Sequence, residues 1–321
     1  MPQPHRIDVH HHYYPPKYIA ETKSRLEGLA PEFVARLLAW NPREVVELMD
    51  RTGIEKAILS MDSQNVWFGD AAESRKLARI CNEYAAQLVK DHPGRFGFFA
   101  AIPFPDPAGA VEEIRHAFEL LGADGVGLIS NYDGIYPGDK AFAPVFEELN
   151  RRNAIVLIHP NGCDACRNLV PEVTPAMMEF PVDTTRAVSS LMFSGTLSRC
   201  PDIRFICCHG GGVLPMLSHR IANQPVVRPH LAKLVPNGVM HEMKKLYYEV
   251  NNVVNPSGFA ALSNLAPMSH ILFGTDNPYV KPEHTIGGLA SLGLAERDVL
   301  AIERDNALAL FAQFGKGGGK T

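Results

Sequence analysis

Ala154-Ile155-Val156-Leu157-Ile158-His159-Pro160 reads as a short strand, apolar at every position, that stops at a histidine. Sheets with one wet face alternate apolar and polar residues along each strand. A run that is apolar throughout belongs to a parallel sheet buried on both sides. Seven further β-rich runs bounded by turn residues fall at 6–12, 56–62, 96–103, 125–131, 203–210, 246–252 and 270–276. Between them, apolar positions recur three and four residues apart at 44–49, 73–89, 108–121, 143–151, 184–197 and 213–221, which is the helical period. Strand and helix alternating through eight units predict an α/β chain closed as a (β/α)8 TIM barrel. An open doubly wound sheet is the competing arrangement, and the lack of G-x-G-x-x-G after the first strand counts against it.

A chain of 321 residues suits such a barrel with insertions, so positions 1–314 are expected to form a single domain, followed by a flexible tail at 315–321, GKGGGKT. Stretches 13–41 and 161–183 lack strand character and read as loop insertions after strands one and five. Stretch 222–245 reads as a helical extension after strand six, and all three are expected to serve as lids or oligomer contacts. A net charge of −4 with no run of five like charges leaves no footprint for nucleic acid or an anionic membrane, so a small-molecule partner is expected. No segment reaches eighteen apolar residues and no signal-peptide pattern opens the chain, which reads as a cytoplasmic protein. Six cysteines, with Cys207 and Cys208 adjacent, read as reduced thiols. The lone C-x-x-C at Cys163 and Cys166 lacks the second pair a zinc knuckle needs.

The active site of a (β/α)8 barrel lies at the C-terminal ends of its strands. Those ends carry His10-His11-His12, His159, His209 before Gly210-Gly211-Gly212, and Gly274-Thr275-Asp276. With a side-chain period of two, His10 and His12 share a face and His11 takes the other. His10, His12, His159 and Asp276 then surround one divalent cation, with His209 close by. Imidazole and carboxylate donors suit zinc and tolerate manganese. A single strand-end histidine is more often structural, and Asp276 alone reads as a helix cap. Five such residues at four strand ends are far harder to attribute to chance.

Ile7-Asp8-Val9-His10-His11-His12, Ile158-His159-Pro160, Cys208-His209-Gly210-Gly211-Gly212 with Pro215, and Leu272-Phe273-Gly274-Thr275-Asp276-Asn277-Pro278 together resemble the amidohydrolase superfamily. Phe180-Pro181, Asp183-Thr184-Thr185-Arg186 and Asn306-Ala307-Leu308 extend the resemblance to its decarboxylase-like branch, which includes the aminocarboxymuconate semialdehyde, 6-methylsalicylate and γ-resorcylate decarboxylases. The resemblance implies a metal-dependent, non-oxidative loss of CO2 from a small hydroxylated aromatic or muconate-type acid. The fourth run, GVGLISN, offers no bridging lysine, which implies a single ion. His10-x-His12 replaces the Glu-x-His or Glu-x-Ala start common in salicylate-type members, which favours zinc over manganese.

The same resemblance assigns the proton donor to Asp276 or His209, and gives Arg220 to a substrate carboxylate, reached across a homodimer interface. Strand-end position adds Asn131 and Tyr132, Gln64, Asn65, Trp67 and Phe68, and Tyr279 as pocket walls. Tyr13 and Tyr14 either close over the substrate or anchor the first loop. The alternative chemistry is a hydrolase or hydratase that uses the same cation, with His209 activating water against a lactone, amide or alkene.

Overall fold

Eight strands pair side by side, all parallel, in the order β1 to β8. They are β1 Arg6–His12, β2 Ile54–Ser60, β3 Phe96–Ala101, β4 Gly125–Ile129, β5 Ile155–His159, β6 Arg204–Cys207, β7 Tyr247–Glu249 and β8 Ile271–Leu272. The computed structural model describes residues 5–26, 31–63, 65–166, 169–311 and 314; Gln64 and the tail at 315–321 lie outside the described residues. Bonds from Val9 N–H to Phe273 O (3.0 Å), Asp276 N–H to His10 O (2.8 Å) and His12 N–H to Asn277 O (2.8 Å) carry the last strand back to the first and close the barrel. All eight expected strands are present. Strands six to eight are shorter than their sequence runs because the backbone leaves the ladder for left-handed turns at His209 (φ 55°), Asn252 (φ 61°) and Asp276 (φ 60°).

Helices wrap the sheet. The stretch after β1 holds α1 Pro16–Leu26 and α2 Pro31–Ala39 before α3 Pro42–Thr52 returns to the barrel. Helix α3 is set by local chemistry. Asn41 caps it by accepting from Arg43 N–H (2.9 Å), Val45, Met49 and Thr52 bury one face, and Gly53 ends it at φ 68°. Next come α4 Ala71–Asp91, α5 Pro107–His116, α6 Ala143–Arg151 and α7 Pro175–Phe193. Helix α7 starts nine residues before the helical period at 184 and runs through Pro181. A proline removes one helix hydrogen bond, and the buried Asp183, Thr184, Ala187, Val188 and Leu191 hold the helix against the barrel regardless. Helix α8 Thr196–Arg199 precedes β6, and α9 Leu214–Ala222, α10 Gln224–Val227 and α11 Val239–Lys244 follow it, which makes the 222–245 stretch helical as expected. Among the described residues no helix is long and apolar enough to cross a membrane.

Two apolar layers follow from strand alternation. Residues such as Leu59, Phe98, Val126, Val156, Ile158 and Phe205 face the helices. Ile7, Val9, Ile58, Phe99, Ile155, Leu157, Ile206 and Leu272 fill the barrel, and Leu310 and Phe311 pack against them at its N-terminal end. That plug leaves the opposite, C-terminal mouth as the place where polar side chains collect.

Candidate metal centre

His10 and His12 owe their aim to a β-bulge. Between Asp8 and His11, β1 advances three residues while β2 advances two, from Ala57 to Leu59, so one extra residue is inserted. Ile7 and Val9 pack inside the barrel. Unbroken alternation from Val9 would carry His11 inward and turn His10 and His12 away. With the bulge, Val9 and His10 both face in, and the rings of His10 and His12 meet that of His159 at centroid distances of 5.2 and 4.8 Å. His11 turns outward, where its Nδ1–H donates to Asp8 Oδ2 (3.0 Å), a carboxylate that also accepts from the Thr275 N–H (3.0 Å) and hydroxyl (2.5 Å).

One donor atom each from His10, His12, His159 and Asp276 lies within 4.8 Å of all the others. Their hydrogen bonds fix which atoms face inward. His10 Nδ1–H donates to Glu249 Oε1 (3.0 Å) and His12 Nδ1–H to the Ser60 carbonyl (3.2 Å), which leaves a lone pair on each Nε2. Those two Nε2 atoms stand 3.0 Å apart and 3.3 and 3.0 Å from Asp276 Oδ1. Three acceptors thus converge, and among the described residues no donor lies between them and the buried Nδ1 of His159 also has no partner. Such a set is relieved by a shared cation or by added protons. Asp276 Oδ2 faces another way, toward His209 Nε2 at 3.3 Å.

Burial opposes charge on His12 and His209, but the hydrogen bond and charge of Asp276 outweigh it and hold both imidazoles above the usual histidine range. Burial, and then the nearby His12 and His10, push His159 well below that range. Burial alone would raise Asp276, yet His10, His12 and His209 together keep its carboxyl far below the ordinary value. A neutral His159 and an ionised Asp276 are the protonation states that ligation requires, whereas His12, raised by Asp276, would have to release its proton as an ion binds.

Residues 7–313 match the family model described as Amidohydrolase. The chain belongs to the amidohydrolase family. It is 37% identical to the decarboxylase yanB of Aspergillus niger, over 96% of this chain and 88% of that one. It is 34% identical to the 6-methylsalicylic acid decarboxylase acuB of Aspergillus aculeatus, over 85% and 84% of the two chains. A 2,6-dihydroxybenzoate decarboxylase solved with 2,6-dihydroxybenzoate superposes with a TM-score of 0.83 at 25% identity, over 96% of this chain and 99% of that one. These relatives put the amidohydrolase in the decarboxylase branch, among carbon–carbon lyases.

The other residues expected at the site divide into two groups. Tyr279 borders it, with its ring 5.7 Å from that of His12. Its hydroxyl and that of Tyr14 (2.7 Å) both donate to Asp62 Oδ2. Trp67 is half-buried and donates Nε1–H to Asp133 (2.6 Å), which ties the loop after β2 to the loop after β4. Asn131 and Tyr132 are both buried. The Asn131 amide donates to Gly162 O (2.7 Å) and Asp183 (2.6 Å) and accepts from Gly134 N–H (3.0 Å), which joins loops at the mouth. The Tyr132 ring is buried against Phe104, and its hydroxyl accepts from Ile129 N–H (3.1 Å).

Arg220 is exposed on α9, away from the four converging residues of its own chain. With Arg186, Tyr136 and Leu217 it lines a groove of about 580 Å3 between α7 and α9. Tyr13 is a core residue whose hydroxyl donates to Cys81 O (3.1 Å), so of the two tyrosines only Tyr14 turns toward the mouth. Glu249 was not singled out from the sequence. Its only signal there is an acid closing a short run of otherwise apolar and aromatic character, Leu246-Tyr247-Tyr248-Glu249-Val250.

Proposed function

We propose that this amidohydrolase is a metal-dependent, non-oxidative decarboxylase of a small hydroxylated aromatic acid. One divalent ion, zinc ahead of manganese, is held by His10, His12, His159 and Asp276. The observation that carries the assignment is the convergence of two imidazole lone pairs and Asp276 Oδ1 with no donor among them, beside the unpartnered Nδ1 of His159. Three nitrogens and one carboxylate oxygen are a donor set that suits zinc. A divalent ion held by these residues would supply positive charge that orients the substrate's oxygens and offsets their negative charge.

The protein's own groups divide the remaining work. Asp276 uses Oδ1 toward the histidine lone pairs and Oδ2 toward His209, so one oxygen serves ligation and the other lies on a proton path. In the proposed step a proton held by the Asp276–His209 pair adds to the ring carbon that bears the carboxylate. The bond to the carboxylate then breaks, its electron pair restores the ring, and CO2 leaves. Tyr279 and Tyr14 form an aromatic wall beside His12 that suits a planar substrate.

Arg220 is proposed to reach a substrate carboxylate in a neighbouring copy, which makes the working unit a homodimer. Its exposed position outside its own metal cluster is what that arrangement needs. The test is CO2 release by the metal-loaded protein across methylsalicylate, salicylate, dihydroxybenzoate, carboxyvanillate and muconate-type acids. Release from at least one hydroxylated aromatic acid supports the proposal. Opening of a lactone or amide without CO2 would replace it with hydrolysis.

A further inference from the structure

Glu249 is fully buried at the C-terminal end of β7, and among its described hydrogen bonds none comes from a lysine or arginine. All of those bonds come from N–H groups around the metal cluster. Oε1 accepts from His10 Nδ1–H (3.0 Å) and, by a short bond, from the backbone N–H of His209, while Oε2 accepts from Asn251 N–H (2.6 Å). The fold makes room for it on the neighbouring strand. A Cβ built on Gly274 would stand 2.6 Å from Glu249 Oε2 and 2.9 Å from His10 Cβ, so only glycine fits there without displacement.

We infer that Glu249 is a positioning residue, whose single oxygen Oε1 fixes the tautomer and ring of His10 and, at the same time, the turn that aims His209. A carboxylate can only accept, so His10 must place its proton on Nδ1 and turn the Nε2 lone pair into the cluster. The His209 N–H is held by the same atom while His209 itself adopts φ 55°, a left-handed conformation that a non-glycine residue keeps only when its surroundings hold it there. Moving one carboxylate therefore disturbs a ligand on β1 and the proton-handling histidine after β6 together.

A direct metal role for Glu249 is the rival explanation, since His10, Cys208 and Glu249 also lie within 4.8 Å of one another. Two facts weigh against it. The His10 Nδ1 proton occupies the edge a second ion would use, and both Glu249 oxygens already accept from N–H groups, Oε1 from His10 and His209 and Oε2 from Asn251.

The inference rests on His10 being a metal ligand and is independent of which reaction the enzyme catalyses. Its test is the affinity of the chelator-stripped protein for Zn2+ and for Mn2+ alone, measured in wild type and Glu249→Gln with the thermal melt of each metal-free protein. A glutamine can face His10 and His209 with its oxygen, but then sets an NH2 against the Asn251 N–H and no longer polarises His10. The expected result is an affinity about tenfold to a hundredfold weaker in the folded variant, in the range set by loss of a group that orients a ligating histidine. A purely structural role would lower the melt and leave the affinity of the folded protein unchanged, which would overturn the inference. Absence of binding by wild type would overturn the metal assignment and this inference with it. A second readout needs no variant: nitrogen-15 spectra of the zinc-loaded wild type should show His10 protonated at Nδ1 with Nε2 as the ligating nitrogen, and the opposite arrangement would refute it.

Discussion

Replacing Gly212 with alanine should cost far more than an ordinary glycine substitution, because two independent penalties meet there. Gly212 has φ 67°, and a Cβ added to it would lie 2.0 Å from Pro181 O and 2.7 Å from Pro181 C, where about 3.4 Å is ordinary contact. The obstacle is helix backbone and cannot rotate aside. The Pro181 carbonyl is also held in place by Thr185 Oγ1–H (3.0 Å) and by Val213 N–H (3.2 Å). Gly212 pairs its φ with ψ −123°, outside the left-handed helical well, where alanine costs about 1–3 kcal/mol, and overpacking adds about 1–3 kcal/mol, so the total is about 2–6 kcal/mol. With an unfolding entropy of about 2 cal/mol/K per residue, a chain of this length loses about 1.5 °C per kcal/mol, which predicts a fall of roughly 3–9 °C by scanning calorimetry. Gly122→Ala is the control. It has φ 72° with nothing within 4 Å of the added carbon, and should cost only the backbone term, roughly 1–3 °C. Since His209 lies in the same turn, Gly212→Ala should also lose more CO2-releasing activity than Gly122→Ala. Equal melting losses in the two variants would refute the close packing of this turn on α7.

Other outcomes follow from the same geometry. His159→Ala should weaken ion binding by more than about a hundredfold, beyond the loss expected from groups that only orient ligands, and titration of the stripped protein with Zn2+ checks it. Mixing Arg220→Ala with Asp276→Asn protein should restore roughly a quarter of wild-type activity, because random exchange makes half the dimers mixed and each mixed dimer holds one complete site; no recovery would confine Arg220 to its own subunit or remove it from the site. Away from the centre, the guanidinium groups of Arg151 and then Arg152 hold the Glu148 carboxyl down to about 2. A depressed acid contributes stability above its unfolded value near 4.5 and loses it as pH falls through its folded value near 2, so Glu148→Gln should cost about 1 kcal/mol at pH 7, after allowance for screening, and only a small fraction of that at pH 2, as measured by urea unfolding.

The eight strands were legible because parallel-strand runs such as Ala154–Ile158 stay apolar throughout and end in chemistry-bearing residues. The gathering of His10, His12, His159 and Asp276 at one mouth was legible from their places at the ends of three strand runs; one such histidine is more often structural, and it was their number that pointed to a shared site. The facing of His10 and His12 was deduced from simple alternation, and the outcome depends on a bulge that no residue type in Ile7-Asp8-Val9-His10 announces. Bulges are set by pairing between strands, and a single sequence does not display that pairing. Asn131 stands at the expected strand end, and its partner Asp183, brought alongside by a helix that begins nine residues earlier than its period suggested, was not legible from spacing. Glu249 was overlooked because one acid in a strand carries no spacing signal, and its meaning appears only when β1, β6 and β8 converge on it.

The most direct test of the central claim is reconstitution of chelator-stripped protein with graded divalent ion while CO2 release from a hydroxylated aromatic acid is followed. The account predicts a rate that rises linearly with added ion and saturates at one ion per chain, and that is lost in His159→Ala at the same ion concentration. Full CO2 release from the stripped protein, independent of added ion, would contradict it.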